Sequence, residues 1–168
     1  MSVFDVASTL LAIREYQNRP VPEETIRRIV ESAHLTGSSM NQQPWHFIVV
    51  EERATLRELG NRVKTGPYIA EAAFAVVVVI ERTRFAVSDG SRAIQTMMLT
   101  AWDEGVGSNW AGFMGPDEVK PLLDIPDDMD VLAVVPFGYP AREKVHGKKQ
   151  RKEFTDVVNA ERFGAPFA

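Results

Sequence analysis

The pattern of apolar runs and breaks predicts an α/β protein built on a parallel sheet. Two observations lead there. Strand-like and helix-like segments alternate after residue 45, and the strongest strand candidate, residues 74–80, is apolar without polar alternation, as a strand covered on both faces is. A third observation bounds the size: 168 residues, 45% of them hydrophobic and 25% charged, suit one globular domain spanning residues 1–168.

Val3, Val6, Leu10 and Ile13 recur at helical spacing over residues 2–13, and the pattern breaks near Asn18, Arg19 and Pro20. Pro22 suits the first turn of a second helix, Glu23 and Glu24 complement its positive end, and Ile26, Ile29, Val30 and Ala33 form one apolar stripe before Gly37. Residues 38–44 are polar and loop-like, and residues 45–50 are strand-like. Leu56, Leu59 and Val63 mark an amphipathic helix over residues 53–64, and residues 74–80 form the doubly covered strand. Residues 89–104 predict a helix that is apolar on too many sides for the surface, through Ala93, Ile94, Met97, Met98, Ala101 and Trp102, so it runs through the centre. Gly105-Val106-Gly107 ends it. A short strand over residues 109–114, a short helix over 116–123, a strand over 131–137 and a last helix over 154–162 complete the chain.

Composition excludes several chemistries. With no cysteine there is no disulfide framework, thiolate metal site or cysteine nucleophile. The longest apolar run, residues 72–80, has nine residues, against about 20 for a membrane-spanning helix. The first 14 residues carry Asp5 and no early cation, so no export signal is read and a cytoplasmic address is expected. His34, His46 and His146 lie far apart with no carboxylate at ligand spacing, and no metal is expected. No Gly-x-Ser-x-Gly elbow or P-loop is present, and Ser88-Asp89 followed by Ser91 reads as a helix cap. An enzyme built from this chain would have to import its reactive atoms.

Three segments are equipped to hold such a group. Residues 142–152 contain Arg142, Lys144, Lys148, Lys149, Arg151 and Lys152 against Glu143 alone, a local charge of +5 in a chain of net −4. The cluster reads either as a solvated loop or as a phosphate site; one short stripe on an acidic protein lacks the wider field that nucleic acid binding uses. Gly105-Val106-Gly107-Ser108-Asn109-Trp110-Ala111-Gly112 fails as a dinucleotide fingerprint, because its third glycine comes too late and it follows a helix. It is a tight turn, with or without a flat ligand on its amides. Gly37-Ser38-Ser39-Met40-Asn41-Gln42-Gln43-Pro44-Trp45 is either a plain polar loop or a set of neutral donors and acceptors suited to a heteroaromatic edge.

Together these segments resemble the nitroreductase family of flavin-dependent oxidoreductases across nearly the whole chain. Ser38-Ser39-Met40-Asn41-Gln42-Gln43-Pro44-Trp45-His46-Phe47 matches the family's Ser-Ser-x-Asn-x-Gln-Pro-Trp-x-Phe stretch. Ala12-Ile13-Arg14 with Pro20-Val21-Pro22-Glu23 is similar to its opening. Asp89-Gly90, Ala93, Gln95 and Leu99 match its central helix, and Gly105-Val106-Gly107-Ser108 with Trp110 and Gly112 matches the turn after it. Leu123-Asp124-Ile125-Pro126 and Pro136-Phe137-Gly138-Tyr139-Pro140 match its close.

The resemblance implies an α+β fold, a nitroreductase-like three-layer sandwich with a mostly antiparallel central sheet flanked by helices, in place of the parallel sheet. It implies a homodimer with FMN at the subunit interface, NADH or NADPH as donor, and hydride transfer through the flavin, in ping-pong fashion, to a small aromatic acceptor such as a nitro compound or quinone. No metal, membrane or nucleic acid partner and no catalytic side chain are implied. Arg14, Lys149 and Arg151 would bind the flavin phosphate. Ser38, Ser39 and Asn41 would approach the flavin, generally across the interface, and with Gln43 would orient or line the flavin region; Trp110, Ala111 and Gly112 would face its ring, and Phe113 would help wall the acceptor pocket. The family opening normally reads Arg-Arg-Ser before the matching arginine, and here those places are Leu10, Leu11 and Ala12, so the phosphate site lacks one cation and one hydroxyl. Gly37 stands where a proline is common, and the chain is shorter than many members between Lys64 and Tyr68. A non-catalytic flavin carrier or sensor, a purely structural dimer, and a relative using another flavin-like coenzyme are the alternatives.

Overall fold

Among the described residues, helices and strands follow one another as α1 (Val3–Thr9), α2 (Glu23–His34), β1 (Trp45–Val50), α3 (Arg53–Arg62), β2 (Phe74–Ile80), α4 (Ala86–Asp103), β3 (Gly107–Ser108), β4 (Asp130–Gly138) and α5 (Phe154–Val157), with short 3-10 turns between them. This is a computed structural model that describes residues 1–113, 116–142 and 149–167. Glu143, Lys144, His146 and Lys148, named above, lie outside the described residues.

The strands form one sheet in the order β1-β2-β4-β3, and each pairing between them is antiparallel. The expectation of a parallel sheet from strand–helix alternation is therefore corrected. All seven residues of β2 are buried, but an unbroken apolar run reports coverage on both faces and carries no information about strand direction. Phe74, Val76, Val78 and Ile80 point to a layer that includes Ile29 of α2 and Ile94 and Met97 of α4. Ala75, Val77 and Val79 point the other way, to Leu56 and Leu59 of α3 and to Ile69. The result is the helix–sheet–helix sandwich that the resemblance implied. Each fully buried aliphatic side chain in it contributes about 1.5–3 kcal/mol relative to exposure.

One irregularity in the sheet explains a glycine. The β2–β4 register slips between Val78 and Val79, leaving Leu132 as the extra residue. Leu132 turns toward α4, where Gly90 makes room: a Cβ there would lie 2.6 Å from Leu132 Cδ2.

On the outer face, α2 runs antiparallel to α4, pinned by Arg28 Nε on Glu104 Oε1 at 3.1 Å and by Thr36 Oγ1 on Thr96 Oγ1 at 3.0 Å. α1 sits on the C-terminal end of α4, where Trp102 Nε1 donates to Thr9 Oγ1 at 3.0 Å.

Several predicted boundaries move. The first helix stops at Thr9 instead of residue 13, because Ile13 is drawn into pairing with Ser108. α3 ends at Arg62, and the strand expected at residues 109–114 is instead the two-residue β3 with Ala111 in an isolated bridge to Val134. The short helix expected at residues 116–123 is a 3-10 turn, Asp117–Leu122, with Pro121 inside it. The last helix is one turn, Phe154–Val157, with no buried residue to extend it. Asp89 is not a cap: the N-cap of α4 is Phe85, and Asp89 lies one turn inside, fully buried.

Candidate functional site

Beyond α1 the chain is extended and zips along the sheet margin. Ala12 bridges Ser108, the Ile13 N–H donates to the Ser108 carbonyl at 2.9 Å, Tyr16 bridges Pro140, and the Gln17 N–H donates to the Tyr139 carbonyl at 2.8 Å. Alternation along this strand-like segment buries Ile13 and leaves Arg14 exposed. Gly107 permits the close approach, since a Cβ there would lie 2.5 Å from Ile13 Cγ1. Tyr16 is an anchor, its hydroxyl donating to the Ile13 carbonyl at 2.8 Å, and burial pushes its phenol far up, so it stays neutral.

Arg14 lies with its guanidinium carbon 6.0 Å from the centroid of the Tyr68 ring. Asn109, nearly buried, donates from Nδ2 to the Tyr68 hydroxyl. A cavity of about 280 Å³ opens beside Arg14, lined by residues 12–15 and 140–142. Arg142 faces it, 3.8 Å from Glu15 across exposed surface. In the same turn, Ser108 Oγ and Trp110 Nε1 are buried with no hydrogen-bond partner among the described residues. Such orphans are costly, roughly 1–3 kcal/mol each, unless a ligand or water satisfies them. Lys149 reaches this end of the molecule, donating from Nζ to the Ala7 carbonyl of α1, whereas Arg151 only turns back on the Gln150 carbonyl.

The turn after β3 is committed to the fold in its middle and open at its end. Ala111 is buried, and its N–H and carbonyl are both bonded to Val134, at 3.0 and 2.8 Å. Gly112, at φ +62°, donates its N–H to Thr65 Oγ1 at 3.0 Å. Phe113 is exposed, lies 6.1 Å between ring centroids from Trp110, and lines a second cavity, of about 390 Å³, with Lys64, Thr65 and Glu118.

The other predicted residues are elsewhere. In the loop of residues 38–43, Met40, Asn41 and Gln43 take positive φ values of 53°, 54° and 51°, a conformation that costs a non-glycine residue about 1–2 kcal/mol. Side chains hold it: Ser38 Oγ accepts from the Gln43 N–H at 2.8 Å, and Gln43 Nε2 donates to Asn41 Oδ1 at 3.2 Å. Asp89 ties the loop to α4, accepting from the Ser39 N–H and the Ser39 hydroxyl, each at 3.0 Å, and from Arg92. Burial pushes the Asp89 carboxyl up, but the two Ser39 hydrogen bonds and Arg92 outweigh it and hold the group below the usual carboxylate range.

Ser39 and Arg14 therefore sit at opposite ends of α4. Asp89 is in its first turns and Ser108 follows its last, 14 residues of helix apart between Asp89 and Asp103, or about 21 Å of rise. One copy of the chain gathers Ala12, Arg14, Trp110 and Lys149 at one end and Ser38, Ser39, Asn41 and Gln43 at the other. The sequence alone does not single out Tyr68 or Asn109, and Asp89 reads there as part of a helix cap. A lone carboxylate in an otherwise apolar central helix, three residues before Arg92, was the available signal for Asp89. Nothing in the sequence pattern marks Tyr68. Among the described residues no group of three or more His, Cys, Asp or Glu side chains could hold a metal, and no helix is long and apolar enough to cross a membrane.

An exposed arginine beside a cavity, unpartnered polar atoms in a buried turn and a separate polar loop, on an antiparallel α+β sandwich, have the chemistry to receive a flat, anionic group. The nitroreductase family model matches residues 11–91 and 76–139. A protein of Methanothermobacter thermautotrophicus described as "Putative NADH dehydrogenase/NAD(P)H nitroreductase" is 33% identical over 150 residues, covering 84% of this chain and 78% of its own. A protein of Archaeoglobus fulgidus with the same description is 35% identical over 146 residues, covering 81% and 84%. Among solved structures, an FMN-dependent nitroreductase of Clostridium difficile superposes with a TM-score of 0.85 at 23% identity, covering 95% of this chain and 99% of its own. NfrA1 of B. megaterium does so with a TM-score of 0.85 at 25% identity, covering 96% and 75%. The chain belongs to the nitroreductase family and is an oxidoreductase of that family.

Proposed function

We propose that this chain binds FMN and uses NADH or NADPH to reduce a small aromatic acceptor, a nitro compound or a quinone, as a homodimer with flavin at the subunit interface. The observation that carries the reading is the setting of Arg14: a cation steadied by Tyr68, beside a cavity, on a segment zipped through Ile13 to Ser108. Those residues fit the group. Arg14 and Lys149, with Arg151, would hold the phosphate. Ser108 and Trp110 offer hydrogen-bonding capacity on the ring side, and residues 38–43 of a second copy would supply neutral polar groups.

Bound FMN would supply the redox chemistry, accepting two electrons and a proton from the nicotinamide and passing them on to the acceptor. The protein's own part is binding, orientation and exclusion of water. Arg14 neutralises phosphate charge with its planar fork. Trp110 and Phe113 present apolar surface to a flat acceptor, which suits an open site of broad specificity. No side chain is required as a proton donor.

The test is the visible absorption spectrum of the purified full chain with FMN, before and after anaerobic addition of NADH or NADPH. A bound, yellow form that the nucleotide bleaches and a nitroaromatic or quinone restores is the expected result. Protein that stays colourless and unshifted through an FMN titration overturns the reading. Bound flavin that neither nucleotide bleaches indicates a carrier or sensor.

A further inference from the structure

We infer that Asp89 is a positioning residue that acts on the flavin bound to the opposite copy of the chain, by holding Ser39 and with it the strained loop of residues 38–43. The inference rests on the flavin reading above, in which residues 38–43 of one copy serve the flavin of the other, and adds to it the residue that holds that loop.

The loop cannot hold its own shape cheaply. Three non-glycine residues in it take the left-handed conformation, and Met40 is left exposed, so no apolar burial compensates. A fully buried carboxylate fixes it to the body. Asp89 receives both the backbone N–H and the hydroxyl of Ser39, and Arg92, half exposed, closes the cluster by contacting Asp89 and Ser39 Oγ, the latter at 3.3 Å. A carboxylate can accept several hydrogen bonds at once, and an amide of the same shape cannot, because one of its ends donates. Asparagine at position 89 would keep one acceptor and set an NH2 group against a remaining donor. The conformation of the loop therefore depends on the charge of Asp89 as well as on its shape.

The direction of action follows from where the two groups sit. Ser39 is fixed to the early turns of α4, while Arg14 is zipped to Ser108 beyond its other end and lies over Tyr68, which packs with the α3 layer on the opposite face of the sheet. A loop that orders a flavin held by Arg14 must then come from a second copy. In a two-fold dimer each site uses Arg14 of one copy and Asp89 of the other.

Mixed dimers separate this arrangement from action within one copy. Differently tagged Arg14→Ala and Asp89→Asn chains are co-expressed, and the mixed dimer is purified through both tags. FMN per dimer is then read by absorbance at a concentration where each parent homodimer binds little. Action across the interface leaves one site with both defects and one with neither, so the mixed dimer binds one FMN per dimer against two for wild type. Action within a copy puts one defect in each site and yields a mixed dimer as empty as its parents, which would overturn the inference; so would an Asp89→Asn homodimer that binds FMN as wild type does. If Asp89→Asn fails to fold, Asp89→Ser, which is smaller, removes the charge and keeps a hydroxyl acceptor for one Ser39 donor, takes its place with the same two outcomes. Wild-type protein that binds no FMN marks failure of the underlying reading and removes the inference with it.

Discussion

The Arg14 guanidinium rests over the Tyr68 ring, 6.0 Å from its centroid, and the Tyr68 hydroxyl is in turn fixed by Asn109. This pairing joins the opening segment to the 3-10 turn Pro67–Glu71 without any charge partner among the described residues.

The ring's contribution to holding the cation is measurable. A partly exposed cation–π contact is worth about 0.5–1 kcal/mol, so Tyr68→Ala should weaken FMN binding by about 2–5-fold, read by fluorescence titration. Tyr68→Phe keeps the ring and should bind FMN as wild type does. It leaves Asn109 Nδ2 without an acceptor, however, and should lower stability to urea by about 1–2 kcal/mol. Equal FMN affinity in wild type and Tyr68→Ala would remove Tyr68 from the site.

Asp89 makes the fold sensitive to acid. Its carboxyl is held below its ordinary value, so its contribution is fully present above the unfolded value of about 3.9 and is lost as pH falls through that value toward the folded one. Asp130, held down by Arg82, and the capping carboxyls of Asp5 and Glu52 behave in the same direction. Asp89→Asn should therefore cost about 1–3 kcal/mol near neutrality, and the gap between variant and wild type should narrow as the pH is lowered below about 4. Thermal unfolding of both proteins across pH 3–7 checks it; a gap that does not change with pH would contradict the role of charge.

Much of this frame was legible in the residues because burial dictates residue type. The bounds of β1 and β2 match the predicted 45–50 and 74–80: β2 is an apolar run buried throughout, and β1, a partly exposed edge strand, carries the same branched and aromatic residue types. Strand direction was not legible: covering layers erase the alternation that separates a one-faced antiparallel sheet from a buried parallel one. The polar loop of residues 38–43 stood out by composition, yet its anchor did not, because Asp89 is 50 residues away and pairs through folding alone. Tyr68 and Asn109 were silent for the same reason. Arg14 and Lys149 were named from resemblance, and the packing of α1 brings both to the same end of α4.

Gly107 tests how tightly the Arg14 segment must be zipped. A methyl group there would meet Ile13 at 2.5 Å from Cγ1 and 2.8 Å from Cβ, in a side chain with no room to retreat because Ile13 is itself buried. Gly107→Ala should cost about 1–3 kcal/mol through overpacking and should weaken FMN binding by shifting Arg14. Gly90→Ala meets the far end of Leu132 instead and should cost less. Urea unfolding of the two variants checks the order, and a Gly90→Ala variant less stable than Gly107→Ala would reverse it.

The departure at residues 10–12 yields the sharpest test of where the phosphate lies. Leu10 and Leu11 are half-buried, so restoring arginine at either would disturb packing as well as charge. Ala12 is exposed, extended and immediately beside the Arg14 cavity, and a serine there adds only one hydroxyl. Ala12→Ser should leave stability within about 0.5 kcal/mol of wild type, as surface changes do. A hydroxyl within reach of the flavin phosphate adds about 1 kcal/mol, roughly a fivefold drop in the FMN dissociation constant. Because the gain is a hydrogen bond and not a charge, it should persist when salt is raised, whereas the share due to Arg14 and Lys149 should fall. Titrations at low and high salt separate the two contributions. An unchanged affinity in Ala12→Ser places the phosphate away from this segment and leaves Arg14 with a different partner.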